Sequence, residues 1–250
     1  MRLALSPPKG LARLAPLFIA GLLAAACYGQ EEPVATEDIV AQVPFMDGER
    51  SEYVLLDRDD EEEVGEGVLT VERQDGELEL TLRFVGGGIS DESVVVVDAE
   101  TIKPITVRRE RQGEEVEVIE GEYDAAEEIV EVTEIGEDGD ERLVPLRLEE
   151  NSYDNESSLF LWRTIAFEEG YEASYHSVLA NFRNTNVVTL NVVGKEQVTV
   201  PAGTFDTWRV EIQAGDVDQV AWFTDTPSHV LVQYNNSLQI FKLTEAPEGT

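Results

Sequence analysis

Few side chains in this sequence are of the types that do covalent or acid–base chemistry at neutral pH. There is one cysteine, Cys27, and there are two histidines, His176 and His229. Cys27 follows directly on the apolar run Leu17–Ala26, so it reads as an anchoring position rather than a nucleophile. His176 lies between Tyr175 and Ser177 in an alternating stretch, and His229 follows Pro227-Ser228. Neither stands in His-Glu-x-x-His or another zinc spacing, and both read as surface or packed imidazoles. No Gly-x-Ser-x-Gly elbow occurs. The 52 acidic residues supply many carboxylate pairs of the kind glycosidases use, and that abundance makes no single pair informative. The acidic run Asp57–Glu63 lacks the alternating Asp, Gly and distal Glu that wrap calcium, so it reads as a solvated loop. Gly86-Gly87-Gly88 is not followed by the Gly-Lys-Ser/Thr of a phosphate loop and reads as a bend. The expectation is a non-enzymatic protein with no catalytic residue, no metal ligand set and no cofactor.

The charge balance narrows the partners. Lys and Arg number 18 against 52 Asp and Glu, a formal charge of −34. Such a field repels nucleic acids and anionic lipid surfaces, so no nucleic-acid partner is expected. The acidity has three available origins: solubility, cation binding or a saline habitat. Basic residues precede the apolar run at Arg2, Lys9 and Arg13, and Ala24-Ala25-Ala26 precede Cys27. This is the layout of a secretory signal peptide over residues 1–26. With Leu-Ala-Ala-Ala-Cys as a lipobox, Cys27 becomes a lipidated N-terminus, and the membrane is the expected partner through it. Leu23 stands four residues before the cysteine rather than three, and the same bond also suits ordinary signal peptidase. In that case the protein is secreted. Either way it is extracytoplasmic. Residues 27–43 are polar and acidic with Pro33, and they read as a flexible tether.

Whatever the function, it has to be positioned by strands. Leu78, Leu80, Leu82 and Phe84 alternate with Glu77, Glu79, Thr81 and Arg83 after an Asp75-Gly76 turn, a strong hairpin mark. Similar alternation recurs over 51–135 and again over 171–243, with turns about every 8–12 residues. Pro145 places the strand Leu143–Leu148 at an edge. Val198–Ile212 reads as two arms around a Pro201-Ala202-Gly203 corner, with Trp208, Val210 and Ile212 on one face. Arg108, Arg109 and Arg111 read as partners of acidic neighbouring strands. Leu159, Trp162 and Ile165 recur at helical spacing after the capping candidates Asp154 and Asn155, which predicts one short helix over 154–167. The fold class is mainly β: a curved antiparallel sheet or half-open barrel of about 11–13 strands with one short helix packed on it, over residues 44–245, followed by a tail at 246–250.

Several stretches resemble a domain-of-unknown-function family of secreted bacterial proteins. They are Gly48-Glu49-Arg50-Ser51-Glu52-Tyr53, Val97–Pro104, Trp162-Arg163, Gly194–Ile212 with Val-Pro-Ala-Gly-Thr-Phe-Asp-Thr inside it, Val220–Asp225 and Val230-Leu231-Val232. Together they span about residues 44–244. The family is similar in form to the periplasmic carriers of the lipoprotein-localisation system, which implies a curved sheet with helix on its concave side. It carries no assigned catalytic residues. The acidic loops 57–63 and 137–141 depart from its pattern.

Two readings of the aromatic residues stand side by side. In one, Phe160, Trp162, Tyr171, Trp208 and Trp222 line a half-open barrel that accepts a lipid or other apolar ligand. In the other they fill an ordinary core, and the protein is a structural or interaction module of the envelope. The sequence does not name a protein partner.

Overall fold

The computed structural model describes residues 34–113, 116–136 and 138–247. Cys27 and the signal segment lie outside the described residues, as do Glu137 of the second acidic loop and the last three residues of the tail. Among the described residues fifteen strands make one sheet. The first eight are β1 (Glu49–Asp57), β2 (Glu63–Gln74), β3 (Glu77–Gly86), β4 (Ile89–Asp98), β5 (Pro104–Gln112), β6 (Val116–Asp124), β7 (Ile129–Ile135) and β8 (Glu141–Arg147). The other seven are β9 (Ser152–Asp154), β10 (Glu172–Leu179), β11 (Asn184–Val200), β12 (Gly203–Ala214), β13 (Val217–Thr224), β14 (Leu231–Asn235) and β15 (Gln239–Glu245). The count exceeds the expected 11–13, and one of the strands, β9, is only three residues long.

The expected curved sheet is what forms. The strand order is β8 through β1, then β15 down to β9. Each meander is sequential, and β1 pairs antiparallel with β15, so the first and last strands join the two halves in the middle. Neighbours are antiparallel except β9 and β10, which run parallel. Alternation explains the face each strand buries. Leu78, Leu80 and Leu82 of β3 are buried while Glu77 and Glu79 are exposed. Each such leucine contributes about 1.5–3 kcal/mol by leaving water. At the β2–β3 turn Asp75 and Gly76 both have positive φ, 49° and 90°, as a two-residue hairpin turn requires. Pro145 does lie on the edge strand, β8, which has a neighbour only on one side.

Residues 187–193 and 198–200, two apolar-alternating runs parted by the polar stretch 194–197, belong to one strand, β11. A bulge absorbs the break: the register with β12 shifts between Val192 and Gly194, and Gly194 takes φ 147°. An unpaired extra residue bends a strand and increases its twist, which suits a sheet that must curl.

The sheet does not close. Among the described residues no pairing joins β8 to β9. Ile119, Val130 and Val132 instead pack across that seam against Val178 and Ala180. Arg183 pairs with Glu134 over the same gap, its Nε donating to Oε1 at 2.5 Å.

The concave side is filled by the segment 152–165. Only Ser158–Leu161 is α-helical, α1, preceded by a 3-10 turn at Asn155–Ser157. The helix expected over 154–167 is therefore much shorter. Asp154 caps the entry, accepting from the Glu156 amide at 2.7 Å. The amides of Arg163 and Thr164 then bond to Phe160 and Leu161 three residues back, which tightens and ends the turn. With side chains enclosed on every side, the segment has no solvent face to keep helical periodicity.

The expected tether is also corrected in its described part. The compact unit begins at Val34, not at residue 44. Ile39 is 1% exposed within the core. The amides of Ala41 and Gln42 donate to Thr164 O at 2.8 and 3.1 Å, and that of Glu37 to Ser174 O at 2.9 Å. Residues 34–43 form a strap held by backbone bonds, which is why they show no hydrophobic period.

Candidate functional site

The five aromatics do not converge on one cavity. Phe160 is 1% exposed and meets Phe45 edge-on at 6.2 Å, so it is core. Tyr171 is half-buried near Glu37 and Asp38, and burial followed by their charges raises its hydroxyl pKa. Trp208 does face inward with Val210 and Ile212, pairing with Phe223 in the register. Its ring is only half-buried: Nε1 donates to Asp225 at 2.9 Å, and Lys195 Nζ lies 4.5 Å over the ring. Trp222 pairs with Arg209, which puts it on the opposite, outer face of the sheet, where Nε1 donates to Glu196. Trp208 borders a more open cleft of about 300 Å³ beside Phe167 and His229, and Trp162 lines a more enclosed space.

That space is a crevice of about 320 Å³ between the buried segment and the strands beside it. It opens at the end of the sheet that carries the β3–β4, β12–β13 and β14–β15 turns. Its walls are Leu82 and Phe84 from β3, Leu159 and Trp162 from the plug, Tyr234 from β14 and Phe241 from β15. Strand parity brings these side chains to one face, and their rings pack on one another. Phe84 meets Phe241 at 5.1 Å, Tyr234 meets Phe241 at 5.4 Å, and Trp162 meets Tyr234 at 5.7 Å. Trp162 is fixed by donating Nε1 to Tyr175 Oη at 2.9 Å. Tyr234 is fixed by donating its hydroxyl to Gln219, and burial raises that hydroxyl's pKa. The lip is polar, with Asn155, Glu156, Gln219 and Asn236, and Leu238 stands 77% exposed beside it.

Behind the lip lies a polar network that sequence reasoning missed. Glu156 accepts from Ser93 Oγ at 2.9 Å and from Arg109 Nη1 at 3.3 Å. Arg109 is also held by both oxygens of Asp91, at 2.9 and 2.6 Å. Arg108 pairs with Glu110 and Glu120, so the arginine-rich strand does meet acidic neighbours as its sequence suggested. Glu156, however, is remote in sequence, and nothing local points to it. Asp154, fully buried, accepts from the Tyr123 hydroxyl. Burial first, and the Glu156 charge second, raise its carboxyl from 3.8 to about 7. A second buried pair pins the other end of the segment. Arg163 donates to Glu49 at 2.5 Å, to His229 O at 3.0 Å and to Ser228 O at 2.7 Å. Removing one member of such a pair is costly because the other is left charged in the interior.

Two larger clefts are lined by charged side chains. One of about 1090 Å³ runs along the seam between Arg111, Glu117, Glu134, Arg142 and Arg183. Another of about 600 Å³ lies at the opposite end beside Lys103, Tyr123 and Arg147. Neither offers the continuous apolar wall of the Trp162 crevice. The histidines sit apart. His176 Nδ1 is 2.7 Å from Glu150 O, and His229 stacks on Phe167 at 4.0 Å, with burial lowering its pKa. Among the described residues no cluster of His, Cys, Asp or Glu is arranged to hold a metal ion. No helix among them is long and apolar enough to cross a membrane.

No curated protein matches the chain. Among solved structures, the chain resembles a β-barrel-like protein of the domain of unknown function DUF1849 from Brucella abortus. The TM-score is 0.54 at 11% identity, over 81% of this chain and 98% of that one. A protein with a YmcC-like fold from Bacteroides fragilis aligns over 84% of this chain and 99% of its own, at 9% identity and a TM-score of 0.27. The first likeness supports the β-barrel-like architecture and nothing finer. A family model covers residues 54–241, most of the curved sheet and all of its plug, and by that match the chain belongs to the proteins of unknown function DUF3108.

Proposed function

We propose that this protein is a non-enzymatic lipoprotein of the cell envelope, anchored to the membrane through Cys27, that holds a lipid or other apolar ligand in the Trp162 crevice. The observation that carries the ligand reading is the crevice itself: about 320 Å³ walled by six apolar or aromatic side chains behind a polar lip. That volume lies at the lower end of the ~300–1,000 Å³ typical of small-ligand pockets, and the arrangement of apolar walls with a few polar groups is typical too. The anchor reading is supported by the signal layout and by the position of the lone cysteine just after it. Its test is Cys27→Ala, which should move the protein from the membrane pellet to the soluble fraction. Persistence in the pellet refutes the anchor.

The ligand reading is tested by native mass spectrometry of residues 28–250 prepared without detergent, which retain the whole compact unit from Val34 onward. A bound species of amphiphile mass is expected. The competing reading, an envelope module with no small ligand, draws on the complete burial of Phe160 and Leu161, which fill rather than line the concave side. Bare protein in every preparation would favour it.

A further inference from the structure

The crevice has a one-sided electrostatic design. Among its lining residues the only charged side chain is the carboxylate of Glu156, and no lysine, arginine or histidine lines it. The cation behind the lip, Arg109, is already shared between Glu156 and Asp91, and Arg58, whose Nη1 donates to Ser237 O at 3.3 Å, stands in a turn with Asp57, Asp59, Asp60, Glu61, Glu62 and Glu63. Asp154 lies two residues from Glu156, and the acidic turn 58–62 meets the lip through Arg58 N donating to Leu238 O at 3.1 Å. One guanidinium thus faces Glu156, Asp91 and Asp154, with more carboxylates beyond.

We infer that the crevice takes a single-chain amphiphile with a neutral or cationic headgroup and discriminates against an anionic one. This rests on the ligand reading above and gives it a substrate class. The apolar walls hold the tail, and about 320 Å³ suits one chain rather than two. The head is left at a lip offering Asn155, Gln219 and Asn236 as neutral hydrogen-bonding partners and Glu156 as an acceptor only. A carboxylate or phosphate head there finds no cation among the described lining residues and meets the Glu156 carboxylate, a repulsion strengthened by the low-dielectric wall.

The test uses residues 28–250 and three ligands with the same dodecyl-length tail: glyceryl monolaurate, dodecyltrimethylammonium and laurate. Each is titrated at pH 8 and low salt against bound N-phenylnaphthylamine, a neutral fluorescent probe. Laurate should displace the probe about tenfold less well than glyceryl monolaurate, equivalent to ~1.4 kcal/mol. Dodecyltrimethylammonium should displace it at least as well as the glyceryl ester. The gap should narrow several-fold in Glu156→Gln, with folding checked by its thermal midpoint, and in wild-type protein at high salt, where the repulsion is screened. Equal displacement by laurate and the glyceryl ester overturns the charge selectivity while leaving the ligand reading intact. Failure of the probe and of all three ligands to bind overturns the ligand reading and this inference with it.

Discussion

Asp154 shows how a single residue ties the concave side together. It caps the plug, accepts from Tyr123 and stands 0% exposed with its carboxyl raised to about 7. A carboxyl whose folded pKa is raised binds its proton more tightly in the folded state than in the unfolded one. Between about pH 4 and 7 the folded chain therefore holds more protons at this site, and the slope of stability with pH is negative. The contribution is fully present below 3.8 and is lost as pH rises through about 7. Asp154→Asn keeps a capping oxygen and cannot ionise. It should raise stability at pH 8 by roughly 1–3 kcal/mol relative to wild type and flatten the change between pH 5 and 8. Denaturant titrations at both pH values read this directly, and parallel pH profiles for the two proteins would contradict it. General acid-stabilisation from the −34 net charge acts on both proteins alike and drops out of the comparison.

At the scale of elements, the parts legible in the sequence are those set by local periodicity. Asp75-Gly76 between alternating leucines gave a hairpin because two consecutive positive-φ residues suit that turn. Pro145 marked an edge because it cannot donate in a central ladder. The parts that were not legible depend on long-range register. Trp208 alternates with polar neighbours while Trp222 sits in the apolar run Val220–Phe223, and only the pairing of Trp208 with Phe223 and of Trp222 with Arg209 puts them on opposite faces. The strap 34–43 is held by amides and one isoleucine, which leave no pattern. Trp162 was legible as a candidate, but its cavity partners Leu82, Phe84, Tyr234 and Phe241 come from three strands whose convergence requires the curl. Part of that curl rests on close backbone approach. A Cβ on Gly65 would lie 2.5 Å from Val85 O, where β2 runs beside β3. Gly65→Ala should therefore destabilise by about 2 kcal/mol or more, well beyond the usual surface substitution. The matching control is Gly48→Ala, where a Cβ meets nothing within 4 Å and φ is 70°, so that only the strain of the turn is added. An unchanged midpoint for Gly65→Ala in thermal melts would show that the strands part without cost.

The compact unit from Val34 onward is an open sheet rolled around a segment of its own chain. The first and last strands meet in its middle, and the seam is bridged by side chains rather than by a ladder. The gap between plug and sheet lies away from that seam, beside β3, β14 and β15. The account stands or falls on whether that gap holds a ligand. Native mass spectrometry of residues 28–250 beside the Ala214→Trp variant decides it, because Ala214 lines the crevice and an indole there fills it. The account predicts an amphiphile-mass adduct on the wild-type protein and its loss from Ala214→Trp at unchanged folded charge states. An adduct retained equally by both proteins, or absent from the wild type, would contradict it.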